Sequence, residues 1–260
     1  FMLLYMVVWS VLQESLAYGE YTIEGEEWKN RVVDKILLSI KRVEHGKYVY
    51  ERYEGDKRVA SKFIDTSVSD ALHLCIYPVM AIYTPQPANY AKHLLLKFKD
   101  PLVMDTKSSL ECYIKIPVEV GIFEMYDGRT TMIDVFATKL IKYALYGMPE
   151  NGVICRYRES TVYFNMPRAE PFAEAVAHVR LHNYLDRIVT VSMLVIPIEG
   201  IDLYYSGTEA MLDTVSTIIR QGVRNEVVDV KVEEGSESGW SKTRVNPTVV
   251  TRSYTMELGF

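Results

Sequence analysis

The stretch ILLSIKRVEHGKYVYERYEGDKRVASKFI, residues 36–64, decides the fold class. Trp28, Val32, Ile36 and Ile40 recur at helical spacing, and a helix is one reading of that pattern. Against it stand two reversal signals at regular spacing, His45-Gly46 and Gly55-Asp56, inside a run rich in Ile, Val and Tyr. Glycine supplies the backbone freedom a tight turn needs, and branched and aromatic side chains pack well on a pleated surface. The stretch therefore predicts three strands from about Ile36 onward, reversed at the two glycines.

The flanks follow the same rhythm. YGEYTIEGEEW, residues 18–28, alternates aromatic and acidic residues and suits a strand ending in a turn. In residues 75–100, Pro78, Pro85 and Pro87 argue against a helix interior and a central strand, so an edge strand or extended loop is expected. HLLLKFKDPLVM, SLECYIKIPVEVGIFEM, TTMIDVFATK and KLIKYALYG then succeed one another closely, with Asp127-Gly128 as a hairpin signal. NMPRAEPF, residues 165–172, interrupts this meander and marks a domain boundary. Beyond it, residues 174–205 read as two or three strands. Residues 208–220 place Met211, Leu212, Val215, Ile218 and Ile219 on one helical face, with Thr208 as N-cap and Gly222 as stop. EVVDVKVEE alternates as a strand, and TVVTRSYTMEL predicts a final one.

The fold expectation is mainly β: two antiparallel β-sandwich-like domains, residues 18–165 and 166–260, with at most one or two short helices. An apolar extension, residues 1–17, precedes them. Its start, FMLLYMVVWSVL, is shorter than the ~20 residues a membrane-spanning helix needs, and it lacks the basic flank and cleavage site of a secretory signal. A buried strand or helix, a docking arm for homo-oligomerisation and the remnant of a longer membrane segment all fit. A chain beginning at Phe suggests that something upstream is missing or altered.

With 260 residues the chain can bury a core without metal or disulfide staples. Its 29 basic and 34 acidic residues leave a formal charge of -5, which gives no global electrostatic footprint for nucleic acid. Cys75, Cys112 and Cys155 lie far apart without a CxxC spacing and read as buried thiols in a reducing compartment. The expected location is cytoplasmic, with membrane association as an option.

No nucleophile elbow, phosphate loop, dinucleotide fingerprint or HExxH helix occurs, and no catalytic residue, metal ligand or cofactor is assigned. His178 and His182 are four apart but lack a third ligand, and on a strand they stand ~13 Å apart. Glu119, Glu124 and Asp134 could pair across strands, which keeps a carbohydrate- or phosphoester-active enzyme as the alternative. Tyr83 and Tyr90 in YTPQPANY could form an aromatic binding edge.

The most informative segment is KYALYGMPENGVICRYRES, residues 142–160. It reads as a hairpin of residues 140–146 and 152–158 in which Lys142, Arg156 and Arg158 share one face if Lys142 lies opposite Arg156. Like charges across a ladder repel, so this face needs a counter-anion: a carboxylate such as Asp134 or Glu159, or a bound phosphate, lipid headgroup, nucleic acid or acidic partner protein. Lys142, Arg156, Arg158 and Tyr146 are the candidate anion- or partner-binding residues.

At YPV (77–79), PVEVGIFEM (117–125) and IDVFATKLIKYALYGMPENGVICRY (133–157) the chain resembles the archaeal domain-of-unknown-function family 432. KYALYG followed by a glycine and ICRY carries most of the likeness. It extends from about Tyr18 through the middle of the chain and more loosely to the end, leaving residues 1–17 outside. The resemblance implies an archaeal β-rich protein without established catalytic residues; members of such families sometimes accompany membrane proteins. The functional expectation is a non-enzymatic binding or regulatory module that engages a macromolecular partner, most plausibly a protein, through a sheet face or edge.

Overall fold

Residues 36–64 form three strands, β3 (Ile36–Glu44), β4 (Lys47–Glu54) and β5 (Lys57–Asp65), reversed at the expected glycines. With β2 (Glu27–Val33) they make a four-stranded antiparallel sheet in chain order. Alternation explains its stability: Leu38, Ile40, Tyr48, Tyr50 and Ile64 point to the core, and each is almost wholly buried. The structure, a computed structural model, describes residues 15–66, 71–80, 92–199, 201–223, 225–233, 238–245, 253–257 and 259. The apolar start and the Tyr83/Tyr90 edge lie outside the described residues.

A second sheet orders β1 (Gly19–Ile23), β6 (Leu72–Val79), β9 (Glu119–Tyr126) and β10 (Arg129–Phe136) as β1-β6-β9-β10. The β9–β10 turn is the Asp127-Gly128 hairpin, with φ of 49° and 71° at the two residues, the left-handed conformation such a turn demands. Pro78 lies within β6, a strand paired on both sides, where an edge or loop was expected. The sheet tolerates it because β1 pairs only as far as Ile76, so the missing N–H of Pro78 lies beyond the end of β1.

A third sheet has the order β11-β12-β7-β15, built from β7 (His93–Met104), β11 (Lys142–Tyr146), β12 (Val153–Ser160) and β15 (Val189–Pro197). The largest sheet is nine-stranded: β8 (Ser109–Pro117), β13 (Val162–Tyr163), β14 (Glu174–Asn183), β16 (Leu203–Ser206), β17 (Glu209–Leu212), β18 (Thr214–Gln221), β19 (Glu226–Glu233), β20 (Ser241–Lys242) and β21 (Ser253–Met256). Pairing is mostly antiparallel, but β12 runs parallel to β7, and β14 runs parallel to β17 and β18. Strands on the two sides of residue 165 share sheets, β8 with β14 and β7 with β15, and one large core cluster extends through both halves.

The helix expected over residues 208–220 is absent: this segment forms β17 and most of β18, and the described residues contain no helix. The helical face was a coincidence of two overlapping periods. Val215, Thr217 and Ile219 are buried at period two, and β18 is flanked by β14 and β19. Its Val, Thr and Ile residues suit a strand between two partners, so tertiary pairing overrides the local pattern. Accordingly, no helix among the described residues is long and apolar enough to cross a membrane.

The sheet of residues 27–65 is fastened to its neighbour through Asp134 on β10. The Asp134 carboxylate accepts hydrogen bonds from the Tyr50 hydroxyl at 2.8 Å and Arg52 Nε at 2.7 Å, while the Arg52 guanidinium lies 4.5 Å from the Phe136 ring centroid. Both charged side chains are largely buried, which makes the pair a tether between sheets.

Candidate functional site: a cationic cleft at the hairpin root

The hairpin expected in residues 142–160 forms as β11 and β12, and Gly152 N–H donates to the Met148 carbonyl at 2.6 Å to close its turn. Its register differs by one residue from the arrangement that would align three cations. Lys142 pairs with Tyr157, and Tyr143 pairs with Arg156. Strand side chains alternate, so this offset puts Lys142 on the opposite face from Arg156 and Arg158.

The two arginines are held from within. Arg156 Nη2 lies 2.6 Å from Glu119 Oε1, with side chains only 4% and 1% exposed. Arg158 pairs with Glu174, whose other oxygen accepts the Glu170 N–H at 3.1 Å and faces Lys115 Nζ at 3.8 Å. The counter-anions are therefore Glu119 and Glu174; Asp134 serves the inter-sheet tether. Arg156 sits on the floor of a sheet layer rather than on a solvated face, and its charge requires this partner, because an unpaired ion in that position would lose several kcal/mol of hydration.

β11 begins only at Lys142, so β12 beyond Tyr157 has no β11 partner, and a cleft of about 350 Å³ opens there. Lys99, Lys139, Lys142, Arg156 and Arg158 line it, with Tyr157 and the apolar Pro117, Val118 and Ala173; Glu159 is its one lining carboxylate. Although it points the other way in the ladder, Lys142 borders the cleft because it is the first residue of its strand. Lys139 pairs with Glu170. Lys99 and Lys142 are exposed and form no ion pair among the described residues. The cleft can thus offer two uncommitted ammonium groups beside guanidinium groups already held in position, an arrangement suited to an oxyanion.

Tyr146, the fourth expected site residue, is not in the cleft. It is 7% exposed and packs in the core, its ring centroid 6.2 Å from that of Tyr254, which in turn lies 4.6 Å from His93. Conversely, Lys99 comes from a segment that sequence reading did not connect to the hairpin, and Lys139, adjacent to the expected first strand, was not singled out. The parallel pairing of β12 with β7 brings Lys99 there, and no local signal announces a parallel pair.

The other candidates resolve into separate local contacts. His178 Nε2 is 3.3 Å from Glu111 and its ring stacks 5.0 Å from Tyr113, while His182 Nδ1 is 2.8 Å from Ser109 Oγ. No group of three or more His, Cys, Asp or Glu among the described residues is placed to hold a metal. Glu119 and Asp134 each have an arginine partner, and the Glu124 carboxyl is raised above the ordinary range mainly by burial.

No curated protein and no solved structure matches the chain. The family described as protein of unknown function (DUF432) matches it over residues 17–257, from the position where the family resemblance begins almost to the last residue. The chain, with its all-β sheets and its cleft at the root of the KYALYG hairpin, belongs to that family.

Proposed function

We propose that the protein is a non-enzymatic binding module that recognises an anionic group presented by a macromolecular partner, and that the cleft at the root of the β11–β12 hairpin is the recognition site. The observation that carries this reading is the pair of uncommitted lysines, Lys99 and Lys142, at a cleft whose arginines are already fixed by internal carboxylates. An incoming carboxylate or phosphate meets guanidinium groups that need no reorganisation, which lowers the entropic cost of binding, while the two lysines supply uncommitted charge. The volume lies at the small end of ligand sites, enough for a headgroup or an acidic side chain. The alternative of hydrolysis by paired carboxylates draws no support from this lining, where Glu159 stands without a second acid.

The test is retention on heparin. Wild type should elute at a higher salt concentration than K99Q/K142Q, while the two proteins melt at the same temperature because both lysines are exposed. Equal elution would overturn the reading.

A further inference from the structure

We infer that the partner presenting the anionic group is a membrane surface carrying anionic phospholipid, and that the outer face of the β11–β12 hairpin docks on it. The inference rests on the reading of the cleft as an anion site and adds a second observation from the hairpin face that carries Arg156 and Arg158, opposite in the ladder to Lys142. Two residues along β12 from Arg156, Ile154 lies directly opposite Leu145, and these side chains are 44% and 46% exposed. Met148 in the turn and Leu140 at the cleft are 57% and 88% exposed. Behind this pair the hairpin is anchored: Tyr146 and Cys155 point the other way and are buried. The distal hairpin thus has one face in the core and one apolar face in water, adjoining a cationic cleft.

That combination discriminates between partners. Interfaces between proteins are depleted in lysine and use arginine, whereas here the arginines are committed internally and the available cations are lysines. Lysine near an anionic leaflet is attracted to headgroups while its stem lies along apolar surface, and exposed Leu, Ile and Met can enter the headgroup–acyl boundary beside it. Glu150 and Asn151 in the turn are exposed and oppose a tip-first insertion. The hairpin therefore lies on its Leu145–Ile154 side, with those two residues as the apolar wedge, and Lys99 and Lys142 reach the phosphates from the rim of the cleft at the hairpin root.

The experiment is co-sedimentation of the full chain with phosphatidylcholine vesicles, with and without phosphatidylglycerol. Two variants accompany wild type, L145S/I154S and K99Q/K142Q, each checked for an unchanged melting temperature. Wild type should bind only the phosphatidylglycerol vesicles. K99Q/K142Q should weaken binding about 25-fold, five-fold per lysine, and L145S/I154S about 20-fold, from the half-buried increments of two aliphatic side chains. Vesicle binding that survives L145S/I154S unchanged overturns the docking face but leaves the anion cleft standing. Retention on heparin or binding of polyglutamate without vesicle binding overturns the membrane inference in favour of an acidic macromolecule in the same cleft. Absence of all three overturns the cleft reading as well.

Discussion

Arg156 on β12 and Glu119 at the start of β9 form an ion pair of 2.6 Å in which neither side chain exceeds 4% exposure. It links the hairpin sheet to the β1-β6-β9-β10 sheet at the point where the cleft opens. Its energetics are asymmetric. Removing one partner strands the other charge in a buried site, while removing both and filling the space does not. R156Q and E119Q should each destabilise the protein by about 4 kcal/mol, lowering the melting temperature by roughly 10 °C. The double variant R156M/E119L should melt close to wild type. Calorimetry of the three proteins checks this; an R156Q protein as stable as wild type would mean that water reaches the pair. Arg156 is therefore unsuited to testing anion binding by itself, since its loss is expected to change stability.

Asp134 makes a comparable prediction for the inter-sheet tether. D134A leaves the Tyr50 hydroxyl and Arg52 Nε without this acceptor, and should destabilise by about 2 kcal/mol. Y50F, which removes one hydrogen bond and leaves no buried charge stranded, should cost about 1 kcal/mol. Urea denaturation gives both values, and hydrogen exchange in D134A should accelerate first in β2 to β5.

Glu124 supplies a pH dependence of known sign. Burial is the main reason its carboxyl lies above the ordinary range, with Asp65 acting in the same direction and Lys62 against. A raised folded pKa means that the stability contributed by the neutral acid is fully present below its unfolded value, about 4, and is lost as pH rises through the folded value. E124Q, neutral throughout, should match wild type in acid and melt higher near neutral pH. A stability difference that does not vary with pH would refute this.

The three cysteines are free and buried, and burial pushes the Cys112 and Cys155 thiols up to about 12. Thiolate is the reactive form, so none should react with an aromatic disulfide reagent at mildly alkaline pH in the native protein, and all three should react in denaturant. Rapid labelling of any one in the native state would place it on a segment that opens locally.

Much of the fold was legible because the information for it is local. Gly46, Gly55 and the Asp127-Gly128 pair dictate reversals through their own backbone preferences, and alternation from Ile36 to Ile64 states which side chains face the core. The hairpin of residues 142–160 was legible for the same reason, and so was the presence of cations near its root. Where two periods overlapped, as over residues 208–220, only pairing with β14 and β19 decided in favour of strand.

What tertiary structure alone decided is register, depth and company. Whether Lys142 faces Arg156 or Tyr157 turns on a single residue of offset, which flips every side chain to the other face. Whether Arg156 is a solvated charge or a buried one depends on Glu119 arriving from another sheet, and Lys99 joins the cleft only through a parallel pair. The sequence by itself determined that this chain turns, alternates and forms sheets, because those are short-range preferences. The cleft proposed to hold an anion is assembled by contacts between residues far apart in the chain, whose partners no local pattern specifies.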